Sequence, residues 1–226
     1  MCGIAGAWSP QPRTGADELH ALGRRMGEAI AHRGPDDSGT WVDAEVGVVL
    51  SHRRLSILDL SPEGHQPMVS ADGRWVIAFN GEIYNHAALR TELEALGHQF
   101  RGHSDTEVLL AGIAQWGVQA ALERGNAMLA LAAWDRRERT LWLARDRVGK
   151  KPLYYGWAGG GTLVFGSELS ALRAYPELRA DVNPDALALL LRLDYIPAPY
   201  AILRGVHKLP ASNLCTPRRI EYGAGM

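Results

Sequence analysis

The hydrophobic positions of this 226-residue chain change period along its length. Gly3–Trp8 is small and apolar throughout, which predicts a buried strand starting almost at the terminus. Chain ends ordinarily fray, so core-like sequence at residue 3 implies that the terminus itself is held in place. Over residues 17–31, Leu19, Leu22, Met26 and Ile30 recur at helical spacing, and the pattern stops before Gly34-Pro35. Residues 46–50 and 75–79 are short apolar runs bounded by turn residues and predict strands. Residues 86–96 predict a helix with Leu89, Leu93 and Leu96 on one face and Gly97 as its terminating cap. Ser104-Asp105-Thr106-Glu107 has the form of a capping box: the Ser104 hydroxyl bonds the Glu107 amide and the Glu107 carboxylate reaches back. The helix it opens continues through Val108, Leu109, Ile113 and Trp116. Residues 128–134, 140–144, 153–157 and 162–165 are strand candidates at hairpin-like spacing, and 167–174 and Pro184–Leu193 are helix candidates. Hairpin-linked strands with clustered helices argue for an α+β fold, and two stacked sheets covered by helices fit the pattern.

The length suits one domain with a sizeable core or two small ones. A net charge of −1 gives no electrostatic case for a nucleic-acid partner or an anionic membrane. The basic run Arg136-Arg137-Glu138-Arg139 has an acid interspersed and reads as a solvated face. The two cysteines, Cys2 and Cys215, are a poor disulfide framework, which points to a reducing compartment. No signal peptide is visible, and the longest strongly apolar stretch, 186–191, is too short to span a bilayer. A cytoplasmic protein with no membrane partner is therefore expected.

Four features carry candidate chemistry. Removal of Met1 would make Cys2 the first residue. In model peptides a free α-amine titrates near pH 8 and a thiol near about 8.5, so one residue would hold nucleophile and base together. The plain alternative is a small buried hydrophobe. In Phe79-Asn80-Gly81-Glu82-Ile83-Tyr84-Asn85-His86 a strand is expected to end in an Asn-Gly turn and pass into a helix. The chemical alternative is an oxyanion hole formed by the Asn80 side-chain amide and the Gly81 N–H. Asp105, in the first turn of the capped helix, is a common helix-start residue. The helix N-terminus favours its ionised form, suiting it to a substrate ammonium. Arg54 offers a fork for a carboxylate, or is a surface arginine; if the chain is extended there, Arg54, Ser56 and Leu58 share one side. Together these parts suit L-glutamine: a carboxylate for Arg54, an ammonium for Asp105 and Glu82, and an amide carbon for the thiol.

These blocks, with His32-Arg33-Gly34-Pro35-Asp36, 52–59, Trp134-Asp135, Arg145-Asp146-Arg147, 151–155, Ser167-Glu168 and Lys208-Leu209-Pro210, occur in one order. The chain resembles the glutaminase half of class II glutamine amidotransferases, of the glutamine-hydrolysing asparagine synthetase type, over residues 2–210. The resemblance implies an N-terminal-nucleophile hydrolase fold, a four-layer αββα sandwich with antiparallel sheets, and leaves 211–226 as an irregular tail or linker. It implies Cys2 as nucleophile with its α-amine as base, and Asn80 and Gly81 as oxyanion hole. Arg54 would hold the carboxylate, Glu82 and Asp105 the ammonium, with help from the Ile57 backbone. Hydrolysis would run through a γ-glutamyl thioester to glutamate and ammonia. His32, His52, His65 and His86 lack zinc-ligand spacing and are expected to be structural, so no metal is expected. Residues 56–68 read as a loop that either closes over glutamine or stays rigid.

The sequence departs from the family in three places. Ala127-Met128-Leu129-Ala130-Leu131-Ala132 lacks two usual aromatics, Lys150 replaces an apolar residue, and Ala211-Ser212-Asn213 replaces Pro-Gly-His. The Ser-Gly-Gly-x-Asp-Ser loop by which a synthetase domain binds ATP pyrophosphate does not occur in these residues, and Gly159-Gly160-Gly161 reads as a hairpin turn. No cofactor is expected on this chain; ATP and magnesium belong to a synthetase domain that is missing or separate. The ammonia is expected to serve asparagine synthesis from aspartate. The alternatives are a non-catalytic interaction module, a subunit for another acceptor, or another hydrolase of the N-terminal-nucleophile type, such as a peptidase or acylase. Oligomeric state is open, a homodimer included.

Overall fold

The apolar run at the start of the chain becomes the middle of a sheet. The computed structural model describes residues 1–217 except Arg13, Leu58 and Ala180. In chain order the elements are β1 (Gly3–Trp8), α1 (Ala16–Glu28), β2 (Asp37–Asp43), β3 (Val48–Arg54), β4 (Met68–Val69), β5 (Trp75–Ile83), α2 (His86–Ala95), α3 (Asp105–Trp116), α4 (Val118–Arg124), β6 (Ala127–Asp135), β7 (Thr140–Arg145), β8 (Tyr154–Ala158), β9 (Thr162–Gly166), α5 (Leu169–Arg173), α6 (Pro184–Leu193), β10 (Val206–Lys208) and β11 (Leu214–Cys215). One sheet has the order β10-β8-β9-β1-β3-β2 and the other β11-β7-β6-β5-β4. Every pairing in both is antiparallel.

Strand alternation sorts the apolar side chains into three layers of core. Ile4, Leu50, Val76, Ala132, Trp134 and Phe165 fill the space between the sheets. Ala5, Ala7, Met26, Ile30, Val49 and Val164 face α1 and α5. Ile77, Phe79, Leu131 and Ala133 face α2, α3 and α4. The result is the expected αββα sandwich. It also explains the ordered N-terminus: β1 is hydrogen-bonded on both edges, to β3 and β9.

Several expectations need correction. β3 begins two residues later than the apolar run at 46–50 and continues through Ser51-His52-Arg53-Arg54. Those polar residues are held extended because β1 and β2 pair along both edges. β5 likewise does not end at Asn80-Gly81; it runs to Ile83, paired residue by residue with β6. Asn80-Gly81 is thus strand interior and not a turn. Leu96 lies beyond α2 and is exposed, while Gly97 takes the left-handed φ of +94° that ends a helix. Only half of the capping box forms. Ser104 Oγ accepts the Glu107 N–H at 3.3 Å, but the Glu107 carboxylate takes the N–H groups of Arg101 and Gly102 instead. Ser167 stays outside α5 because it extends the pairing of β1: its hydroxyl accepts the Ile4 N–H and its own N–H donates to Ile4 O. Within 211–226, expected to be irregular, Leu214 and Cys215 add β11 to the edge of the second sheet. β2, β4, α4 and β10 had no counterpart in the hydrophobic pattern. No helix of the described residues is long and apolar enough to cross a membrane.

Candidate active site

Cys2 sits where β1 begins, and three contacts fix it. Arg33 Nε donates to Cys2 O at 2.9 Å. The Leu55 N–H donates to Cys2 Sγ at 3.3 Å, and Sγ lies 3.6 Å from Leu55 O. Arg33 is buried and is itself held by Glu168 Oε1 at 2.8 Å, which His32 Nε2 also approaches at 3.1 Å. Burial opposes ionisation of Glu168, but its bonds to Arg33 and His32 outweigh it and hold the carboxyl below its ordinary range. The side chain that steadies the Cys2 backbone is thus itself anchored to an anion.

The second part of the site is an open strand edge. β4 pairs with only Ile77 and Val76 of β5, so from Phe79 onward that edge has no strand beside it. In an antiparallel ladder alternate residues turn both backbone groups to the same neighbour. Phe79 and Ile83 turn theirs to the open edge: Phe79 N–H donates to Gln66 Oε1 at 2.7 Å, Phe79 O faces His52 Nε2 at 3.1 Å, and Ile83 N–H donates to Asp105 Oδ2 at 2.9 Å. Gly81, midway between them, turns its N–H the same way. Its cross-strand partner Leu129 is committed elsewhere, with its N–H and its C=O both bonded to Asp146. Beside Gly81, the Asn80 amide is fully buried and its Nδ2 has no acceptor among the described residues. Buried donors without partners cost about 1–3 kcal/mol and are uncommon in folded proteins. A Cβ at Gly81 would collide with Met128 O and come within 2.8 Å of the Phe79 ring, so glycine is what lets the strand pass here.

A cavity of about 440 Å³ joins these parts. All of the candidate residues read from the sequence line it: Cys2, Arg54, Ile57, Asn80, Gly81, Glu82 and Asp105. Arg54, at the end of β3, is buried, and its guanidinium donates to Ser61 O at 2.9 Å and to Asp59 O. The loop after β3 is therefore wrapped around the arginine. Its other anchor is the Asp59 carboxylate, pulled down to about 2 by its bonds to Ser61 and to the His103 N–H. Ser56 lies in this loop and not in a strand, and Leu58 falls outside the described residues. Asp105 opens α3. Burial pushes its carboxyl above the ordinary range against the helix cap, opposed by the Ile83 N–H, His86 and the Thr106 N–H, with Glu82 adding repulsion. Asp105 and Glu82 both line the cavity.

Sequence reasoning gave no role to Arg33, Glu168, Gln66 or Lys151, although all but Gln66 lie in blocks that carried the resemblance. Lys151 is buried at the cavity wall, its Nζ 3.4 Å from Met1 Sδ. The four histidines are engaged by the protein: His32 with Glu168, His52 with Phe79 O, His65 with Asp37, and His86 with Ile83 O. Among the described residues no group of three or more His, Cys, Asp or Glu stands close enough to hold a metal ion.

Comparison with known proteins decides the family. A profile described as a glutamine amidotransferase domain matches residues 1–222. The chain belongs to that family. This amidotransferase domain is 36% identical over 219 residues to asparagine synthetase [glutamine-hydrolyzing] 3 of Bacillus subtilis, covering 96% of this chain and 34% of that protein. It is 41% identical over 227 residues to a putative asparagine synthetase [glutamine-hydrolyzing] of Mycobacterium tuberculosis, covering 92% and 34%. Asparagine synthetase B of Escherichia coli is 38% identical over 172 residues, covering 76% and 30%. The domain thus spans about a third of the length of these relatives. Among solved structures, glutamine phosphoribosylpyrophosphate amidotransferase from Bacillus subtilis superposes with a TM-score of 0.64 at 22% identity, over 80% of this chain and 45% of that one. That likeness supports the N-terminal-nucleophile hydrolase fold.

Proposed function

We propose that this domain hydrolyses L-glutamine to L-glutamate and ammonia at Cys2. The observation that carries the reading is the buried, unpartnered Asn80 Nδ2, set beside an open Gly81 N–H in the cavity that holds the Cys2 thiol. Two donors left unpaired in a resting site fit an oxyanion that exists only during reaction. With Met1 removed, the Cys2 α-amine takes the thiol proton and the thiolate attacks the substrate's amide carbon. Asn80 and Gly81 hold the oxyanion. The α-ammonium returns the proton to the leaving nitrogen, releasing ammonia and leaving a γ-glutamyl thioester. The amine then draws a proton from water, whose oxygen attacks the thioester; glutamate leaves and the thiol is restored.

Substrate orientation follows from charge. Arg54, in the cavity lining, suits the α-carboxylate, with help from the Ile57 backbone. Glu82 and Asp105 suit the α-ammonium, which would relieve their mutual repulsion. We assign this activity to residues 2–210, with ammonia passing to an ATP- and magnesium-dependent synthetase domain that makes asparagine from aspartate. The support for that acceptor is the naming of the relatives, whose length this chain covers by a third.

The test is glutamate and ammonia release by the purified chain, with loss of Met1 checked by intact mass. Turnover is expected in the processed protein and not in Cys2→Ala or in protein retaining Met1. Undiminished turnover by Cys2→Ala would sink the proposal. A processed chain that binds partner protein but turns over no glutamine would favour a non-catalytic module.

A further inference from the structure

Gln66 touches both halves of the site yet faces no reacting atom in the mechanism above. It is buried at the cavity wall. Its Oε1 accepts the Phe79 N–H at 2.7 Å, and its Nε2 donates to Thr106 Oγ1 at 3.3 Å. Phe79 directly precedes Asn80 on the oxyanion strand, and Thr106 directly follows Asp105 on the helix cap. One amide side chain therefore spans from the strand that would bind the oxyanion to the turn that would bind the ammonium.

Its position explains why a side chain is needed there. β4 is two residues long and its ladder stops at Ile77, so the Phe79 N–H lies one step past the last strand partner. Gln66, two residues before β4, supplies the missing acceptor and continues the ladder by one rung. From the other side the His52 imidazole closes on Phe79 O at 3.1 Å. The Phe79 peptide is thereby held at both polar atoms, which fixes where Asn80 and Gly81 point. Through its other end, Gln66 ties that strand to the first turn of α3.

We propose that Gln66 is a positioning residue that sets the spacing between the oxyanion hole at Asn80–Gly81 and the ammonium clamp at Asp105. This rests on the glutaminase reading above. The two contacts divide the labour. The Phe79 bond aligns donors that act on the transition state, so its loss falls on kcat. The Thr106 bond aligns Asp105, so its loss falls on KM.

The experiment uses Gln66→Met, which keeps length and removes both bonds, and Thr106→Val, which removes one. Wild type and Cys2→Ala are assayed first, and competent sites are counted by labelling Cys2 with an electrophilic glutamine analogue. Per labelled site, Gln66→Met is expected to lose on the order of tenfold in kcat and to gain a similar factor in KM, as small misplacements of catalytic groups do. Thr106→Val should raise KM about fivefold, the scale of one neutral hydrogen bond, with kcat within about twofold. The double variant should have the KM of Gln66→Met, because both changes remove the same bond. Kinetics per labelled site unchanged in Gln66→Met, with only its melting temperature lowered, would overturn the positioning role while leaving the glutaminase standing. Should Gln66→Met not fold, an unchanged KM in Thr106→Val overturns it equally. A wild type without turnover would remove the glutaminase reading and this proposal together.

Discussion

The Arg33 guanidinium holds the backbone of Cys2 and not its thiol: Nε donates to the Cys2 carbonyl at 2.9 Å while Nη1 is paired to Glu168 at 2.8 Å. In the proposed mechanism Cys2 is a terminal nucleophile with chain on one side only, and the pairing of β1 begins at Gly3. The arginine supplies the restraint that a preceding residue would otherwise give. Arg33→Ala is expected to lower kcat on the order of 100-fold through misplacement of the thiol and amine. Glu168→Gln should cost far less, because a neutral amide still accepts from Arg33. Steady-state kinetics on both variants check this; equal losses would show that the charge of Glu168 matters beyond its bond.

Asn80→Ala separates function from stability. Among the described residues the Asn80 Nδ2 has no acceptor, so its removal breaks none of their bonds and relieves a buried unsatisfied donor. Loss of one oxyanion donor typically costs about 10²–10³ in kcat. The expected outcome is that loss with a melting temperature equal to or above that of wild type, read by calorimetry. A large fall in melting temperature would mean that the amide is a structural group.

Gly81→Ala tests the strand and not the donor. An added methyl would collide with Met128 O, a backbone atom of the paired strand that cannot swing aside. Overpacking of this kind costs about 1–3 kcal/mol. Forcing β5 from β6 also displaces the Gly81 N–H, so kcat should fall with stability, in contrast to Asn80→Ala.

The hydrophobic pattern made the layers legible and hid the site. Buried, apolar β1 and β9 could be read because their burial is uniform. The helix Pro184–Leu193 could be read from its sequence alone, since only Ala186 of it is buried. β5 was cut short at Asn80 because Asn-Gly is a turn signal in isolation; only pairing with β6 keeps it extended. The same pairing makes the pair chemically useful, since a turn would have spent the Gly81 N–H on itself. β2 escaped notice because its edge position leaves most of it half-buried and polar. The identities of Cys2, Arg54, Asn80, Gly81 and Asp105 were legible from the resemblance, but their meeting in one cavity was not, because it depends on the two sheets stacking. Gln66 carried no signal, as a lone glutamine in a loop has none.

His52 should make the fold acid-sensitive before the carboxylates do. Its imidazole is buried between the sheets, donates to Phe79 O through Nε2 and leaves Nδ1 without a partner among the described residues. Burial pulls its pKa down to about 3, with Arg54 and His65 acting the same way and the Phe79 bond and Asp37 opposing. The unfolded chain takes up the proton near pH 6.5, so the folded state loses ground as pH falls below that value and keeps losing it until about 3. Between pH 7 and pH 5 this one group is worth about 2 kcal/mol. Asp59, held down at about 2, stays ionised throughout that window and does not contribute. His52→Gln keeps a donor for Phe79 O and cannot titrate. Denaturant unfolding at pH 7 and at pH 5 should therefore show a stability difference about 2 kcal/mol smaller in the variant than in wild type. An unchanged difference would mean that His52 accepts its proton without unfolding, and that β5 at Phe79 is looser than its hydrogen bonds imply.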